Sequence, residues 1–576
     1  MGFHESYTRK INRKLVKKVH VVDAATGRVP ADLVIKNASY VNVFSNSICQ
    51  GDIAVAEGLI VGIGQYNGLT EIDASGKLVL PGFIDAHIHL ESSLVAPSEF
   101  AKAVLPHGTT TVVTDPHEIA NVMGTDGIEC MLQATEGLPI DVRFMLPSCV
   151  PATPMDESGA NLDYRAIDSF YAHGRVQGLA EMMNYVGVTA SDPEVLEKLA
   201  AAQVHHKRID GHAPGLSGND LNAYIAAGVY SDHECSDVAD AIAKLERGQY
   251  IMIREGTAAR NLEALIPLLT PQYADRCLFC CDDKHPSDLL EKGHIDYIVR
   301  KAISKGVDPI LAVKVASHNA ARYFNLNNRG AIAPGYLADF MIIDNFQDFN
   351  IEQVYKKGTA MYKDGAVQVF DIPSVSDYLV KRAHDTFHVP HLTEKDFENS
   401  LPRGVIGMIP GEIVTEHRGY AEKIDVSKDI LKIAVVERHK NTHHIGIGYI
   451  NGYGMTTGAV ATSISHDSHN IIAVGTNDAD LAAAVNRIVE NKGGIVVVNN
   501  GTVTSELVLS IAGIMSDDTL ENVNRDLEAT KEAAFTLGVN KGIDPFMTLS
   551  FMSLTVIPTL RLTTRGVFDV ISQKYI

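Results

Sequence analysis

The chain has 576 residues, 45% of them apolar and 21% charged, the make-up of an ordinary globular protein with length for several domains. Fifty Lys and Arg stand against 70 Asp and Glu, a formal net charge of −20. That balance speaks against a nucleic-acid partner and against a membrane partner of anionic lipid, and it leaves a small-molecule substrate open. Seven unpatterned cysteines exclude a disulfide framework.

The N-terminal extension, residues 1–25, carries Arg9, Lys10, Arg13, Lys14, Lys17 and Lys18 without an apolar segment of signal-peptide type, so a short amphipathic helix is expected there. No apolar stretch reaches the roughly 18 residues of a membrane span, and a cytoplasmic location is expected. Residues 32–36, 51–56 and 59–63 alternate like short strands, and a related set returns at 335–343 and 354–358. The flanks 26–79 and 330–370 therefore predict one small β-sandwich domain built from both ends of a central block.

That block, residues 80–329, holds short apolar runs at 80–86, 109–114, 142–146, 176–180, 208–210, 228–231, 250–253 and 276–281. Each is followed by polar residues and then a helix-like stretch. Eight such βα units make an α/β fold, a TIM-like (β/α)8 barrel of about 250 residues with its chemistry at the C-terminal strand ends. Residues 371–404 read as a linker with a helix in it. Residues 405–576 read as a separate C-terminal α+β domain, with strands at 431–436, 458–464, 471–474 and 495–498 and a helix at 479–491.

The strongest local signal is Pro81-Gly-Phe-Ile-Asp-Ala-His-Ile-His89. Residues two apart on a strand share a face, so His87 and His89 can reach one metal together. Further candidates stand at other strand ends: Glu181 after the fourth run, His212 after the fifth, His233 after the sixth, Asp282 and Asp283 after the eighth. Alone, each reads equally as a loop residue or a satisfied buried polar group. Their convergence on one barrel rim is the argument. Cys277-Leu-Phe-Cys280 has the spacing of half a zinc site, but inside an apolar run it reads as buried strand cysteines rather than a metal or redox pair.

His-x-His after strand one, a strand-four carboxylate, single histidines after strands five and six and an aspartate after strand eight together resemble the amidohydrolase superfamily. So do the flanks Asp73-Ala-Ser-Gly-Lys-Leu-Val-Leu-Pro-Gly82 and Ser317-His-Asn-Ala-Ala321, with Gly330-Ala-Ile-Ala-Pro-Gly335 after them. Asp115-Pro-His-Glu-Ile-Ala-Asn-Val122, Cys281-Asp-Asp-Lys-His-Pro286 and Ser465-His-Asp-Ser-His-Asn470 look like the bacterial adenine deaminases within it, a family with an extra C-terminal domain. No P-loop, dinucleotide fingerprint or nucleophile-elbow serine is present.

The resemblance implies a binuclear centre. His87, His89 and Asp282 would hold one divalent ion and His212 and His233 the other, with Glu181 as the bridge where many amidohydrolases use a carbamylated lysine. The donor set alone suits Zn, Fe or Mn; the resemblance favours Mn(II) or Fe(II) over Zn(II). Adenine would lose its 6-amino group to hypoxanthine and ammonia, with Asp282, Glu255 and His233 in catalytic positions and Asp282 as proton shuttle. Arg254 and Glu255 follow the seventh run and are expected to face the substrate. His117 and Glu118 would contact substrate, bind an accessory ion or form a rim salt bridge. Asp283 would orient Asp282 or His285, or cap the next helix. His466, Asp467 and His469 form a dense polar cluster, read as a lid over the barrel mouth, with a dimer contact as the alternative. A homo-oligomer, dimer or tetramer, is the usual state of such enzymes. Two other readings stay open: a cyclic-amide or N-acyl amidohydrolase with the same metal pair, and an inactive barrel serving as a scaffold.

Overall fold

Strands lie at each of the eight apolar runs. We label them β1 (Phe83–Ile88), β2 (Thr109–Thr114), β3 (Asp141–Leu146), β4 (Val176–Met182), β5 (Arg208–Gly211), β6 (Ser231–Asp232), β7 (Tyr250–Arg254) and β8 (Cys277–Cys280). They belong to a computed structural model that describes residues 7–257, 259–409 and 412–576. Residues 1–6 of the expected N-terminal extension lie outside the described residues. A helix, Tyr7–Ala25, occupies the rest of it.

The barrel strands are short and apolar because they are buried on both faces, as parallel strands under helices must be. β1 to β5 pair in parallel in sequence order, and so do β6 to β8. The N–H of Tyr230, just before β6, donates to the carbonyl of Ile209 on β5 at 3.1 Å. At the other seam the N–H of Asp282 donates to the carbonyl of His87 on β1 at 2.9 Å. The order of strands thus runs from β1 round to β8 and back, a TIM-like arrangement in a mixed α/β chain. Several helices that follow the strands start on aspartate caps. Asp192 accepts from the N–H groups of Glu194 and Val195, and Asp237 from those of Ala239 and Asp240.

The two flanks are hydrogen-bonded into one connected set of nine strands. The long strand Ala31–Asn42 joins its parts. Its register shifts between Ile35 and Ala38, so its first half pairs with Gly68–Asp73 and its second with Leu78–Pro81. The returning strand Phe340–Ile343 pairs with Leu78–Pro81, which leads directly into β1.

Beyond residue 370 come the helix Asp377–Ala383 and then an eight-stranded sheet, with Leu431–Val436 and Ile471–Gly475 at its centre. The helix Asp478–Glu490 packs on that sheet, its first turn capped by Asn477. One hydrophobic cluster runs without a break from barrel residues such as Ile88, Phe144 and Ile253 to Val460, Leu527 and Val567 of this C-terminal part. Among the described residues no helix is long and apolar enough to cross a membrane.

Candidate active site

The backbone of β1 aims His87 and His89 at the same space, and Asp85 fixes that strand. One of its carboxylate oxygens accepts from the N–H groups of His87 and Cys281, at 3.2 and 3.1 Å, and the other lies 3.0 Å from His294 Nε2. Asp85, His87, Cys281 and His294 are all buried. Asp282 follows β8 with φ +60°, a left-handed conformation that aspartate tolerates better than most residues.

Glu181 at the end of β4 is central. Its Oε2 lies 2.9 Å from His212 Nδ1 and 3.2 Å from His233 Nε2. Its Oε1 lies 3.4 Å from His89 Nε2 and 3.7 Å from His87 Nε2. One carboxylate therefore divides its two oxygens between two histidine pairs. Asp282 Oδ1 stands opposite, 3.2 Å from His89 Nε2 and 3.7 Å from His87 Nε2. The rings of His87 and His233 stack at 4.5 Å. Burial alone raises the carboxyl of Glu181, but the donors of His212 and His233 outweigh it and hold it well below its ordinary range.

The donor chemistry fits metal ions. His87 Nε2 is buried and has no hydrogen-bond partner among the described residues. His89 gives its Nδ1–H to the carbonyl of Asp115 at 3.1 Å, which leaves Nε2 as a lone pair facing Glu181 and Asp282. Among the described residues His87, His89 and Asp282 form one candidate ligand group and His87, Glu181 and His233 another.

Arg254, at the end of β7, lines the same cavity but is engaged by protein carboxylates. Its Nη1 donates to Asp282 Oδ2 and to Glu234 Oε1 at 2.5 Å each, and its Nη2 to Glu234 Oε2 at 2.8 Å. Glu234 itself lies 3.4 Å from both His212 and His233. It follows His233 directly in sequence, and no spacing rule separates it from an ordinary loop glutamate.

Glu255 is not in the cavity wall, contrary to expectation. Consecutive residues of an extended segment point to opposite sides. With Arg254 turned inward, Glu255 turns away and pairs with Lys301 Nζ at 2.9 Å, while its carbonyl accepts from Lys284 Nζ. Glu255 thus faces Lys301 and not the position expected for a catalytic or substrate-contacting residue.

His117 and Glu118 open the helix His117–Met123 after β2. His117 Nδ1 donates to Asp115 at 2.8 Å and lies 3.6 Å from Glu181 Oε1. Glu118 takes the C-terminal loop: His466 Nδ1 lies 2.9 Å from its Oε1, and His469 Nε2 contacts its Oε2. His469 Nδ1 accepts from the Ser465 N–H, so the Nε2 facing Glu118 carries the proton. Asp283 receives the Ser92 hydroxyl. Cys277 and Cys280 are buried free thiols on β8.

The cavity between these groups measures about 360 Å³, within the usual range for a small-molecule site. His89, His117, Glu181, His212, His233, Arg254 and Asp282 line its floor, and Asp467 with Val414, Phe551, Leu554 and Ile557 of the C-terminal part lines its roof. The sequence profile of the amidohydrolase family matches residues 78–361, and that of the adenine deaminase C-terminal domain matches residues 411–574. An adenine deaminase of Desulfatibacillum aliphaticivorans is 47% identical over 96% of this chain and 97% of its own. One of Kosmotoga olearia is 46% identical over 97% and 98%. The crystal structure of a β-aspartyl dipeptidase from Fervidobacterium islandicum is similar at 21% identity and a TM-score of 0.45, over 59% of this chain and 99% of that one. The chain belongs to the adenine deaminase family of amidohydrolases.

Proposed function

We propose that the chain hydrolyses adenine to hypoxanthine and ammonia, in a closed (β/α)8 barrel whose mouth the C-terminal part covers. The observation that carries this reading is the divided carboxylate of Glu181, between two histidine pairs, in a chain that matches adenine deaminases end to end. His87, His89 and Asp282 would hold one ion and His212 and His233 the other, with Glu181 between them. Four imidazoles and two carboxylates suit Zn, Fe or Mn, and the family resemblance favours Mn(II) or Fe(II). Bound there, the ions supply hydroxide near neutral pH and stabilise negative charge.

The protein's own groups do the rest. Asp282 takes one proton of the attacking water through one carboxylate oxygen and passes it to the leaving amine, while the second proton of that water ends on N1 of the ring as C6 becomes a carbonyl. Its other oxygen is held by Arg254, which fixes the direction of transfer. Glu234, which also lines the cavity, holds Arg254 through both of its oxygens, so the shuttle is anchored by a second carboxylate. His117, oriented by Asp115, closes one side of the pocket. The loop with His466, Asp467 and His469 is fixed on Glu118 and excludes water from above.

The test is conversion of adenine by protein loaded separately with Mn(II), Fe(II) or Zn(II), followed as hypoxanthine and ammonia, with adenosine and cytosine alongside. Release of ammonia from adenine alone is expected. Folded, metal-loaded protein that leaves adenine intact would overturn the reading.

A further inference from the structure

Asp467 is the one carboxylate that the C-terminal part contributes to the cavity wall. It stands on the loop between the strands Ala459–Thr462 and Ile471–Gly475. The loop is locked in place: His466 and His469 meet Glu118, Ser553 Oγ donates to the His466 carbonyl at 3.0 Å, and Asn470 Nδ2 donates to the Glu157 carbonyl at 2.7 Å. Asp467 is only 4% exposed, and among the described residues its Oδ2 has no hydrogen-bond partner. A buried oxygen without a donor is costly unless something supplies one. Its Oδ1 lies 4.0 Å from His117 Nε2, and His117 Nδ1 lies 3.6 Å from Glu181. Asp467 therefore sits one imidazole beyond the carboxylate between the histidine pairs, with the apolar side chains of Phe551, Leu554 and Ile557 beside it.

We infer that Asp467 is the specificity residue for the free purine base: its carboxylate accepts the N9–H of adenine. This rests on the adenine reading of the pocket. With C6 held at the histidine–carboxylate floor, N9 lies across the bicyclic ring, on the other side of the molecule. A free base presents a donor there, and its flat faces match the apolar side chains of the roof. A nucleoside or 9-alkyl purine presents carbon, which leaves Asp467 unsatisfied and adds bulk under a fixed roof. A site built to hydrogen-bond an N–H rejects the analogue that lacks it far more strongly than an apolar pocket rejects an extra methyl group.

The experiment compares the metal-loaded wild type with Asp467→Leu and Asp467→Asn. It reads kcat/KM for adenine and inhibition constants for 7-deazaadenine, which keeps N9–H, and for 9-methyladenine, which lacks it. The leucine variant is expected to lose about 100-fold for adenine and 7-deazaadenine and less than about threefold for 9-methyladenine. The asparagine variant, which keeps an acceptor oxygen, is expected to recover at least about tenfold of that loss. Equal losses for all three compounds, or a leucine variant as good as wild type on adenine, would overturn the inference. If 9-methyladenine binds to neither protein, the asparagine rescue decides: rescue supports recognition and its absence overturns it. Melting temperature and bound metal are measured with each variant, and a leucine variant that fails to fold hands the decision to asparagine, whose adenine kinetics must then exceed those of Asp467→Ala. A wild type inactive on adenine overturns the proposed function itself, an outcome distinct from any of these.

Discussion

At the scale of residues, the floor of the site follows from two rules. Period-two spacing puts His87 and His89 on one face, and barrel geometry sends residues after each strand to a common rim. Glu181, His212, His233 and Asp282 were legible for that reason, and the structure brings all six side chains together. Glu234 was not, because its contacts with Arg254, His212 and His233 have no signature in sequence. Glu255 was misread because the same alternation that pairs His87 with His89 separates Glu255 from Arg254. Arg254 holds Asp282 by a charge-assisted bond in a buried setting. Arg254→Met is expected to lower kcat about 10- to 100-fold and to weaken metal retention, the usual effect of losing a partner that orients a ligand. Steady-state kinetics with metal analysis checks this; an unchanged kcat would place Arg254 outside the mechanism.

At the scale of elements, the barrel is held by close strand approach as much as by apolar burial. A Cβ on Gly211 of β5 would lie 2.2 Å from the Ser231 carbonyl oxygen of β6, and one on Gly178 of β4 would lie 2.2 Å from that of Arg208 on β5. Glycine at these positions lets neighbouring backbones meet. Gly211 also precedes His212, whose N–H donates to the Tyr224 hydroxyl oxygen at 3.0 Å. Gly211→Ala is expected to cost about 2 kcal/mol, the scale of overpacking a core, and to lower metal affinity by displacing His212. Thermal melts and metal titration report the two effects separately. The eight strands were legible as apolar runs, whereas the joining of the flank strands through Ala31–Asn42 was not. The register shift in that strand depends on which strands arrive on either side.

At the scale of the whole molecule, charge clusters tie the parts together. Asp141, at the start of β3, accepts from Arg329 at 2.6 Å and from Lys356 at 3.0 Å, and so joins the barrel to the returning flank. Burial opposes its ionised form, but Lys356 and Arg329 outweigh burial and hold the carboxyl well below its ordinary range. A depressed folded value means that the stabilisation is fully present above the unfolded carboxyl pKa of about 3.9 and is lost as pH falls below it. Asp141→Asn is expected to cost about 3 kcal/mol at pH 7, and the difference from wild type should narrow below about pH 4 in denaturant titrations. A cost independent of pH would contradict the assignment. On the far side of the barrel, Glu157 receives Thr564 and His444 of the C-terminal part. None of these long-range pairs has a spacing that sequence reveals. The roof of the pocket was legible only as a dense cluster, His466, Asp467 and His469, whose seat on Glu118 comes from the fold.

We propose that one carboxylate, Glu181, serves two ion sites. The direct measurement is metal bound per chain against adenine turnover as metal-free protein is titrated with Mn(II), for wild type and Glu181→Gln. Wild-type activity is expected to reach its plateau at two equivalents, and the variant to bind the pair more weakly and to turn over adenine at least about 100-fold more slowly. Full activity at one equivalent, or a variant as active as wild type, would contradict it.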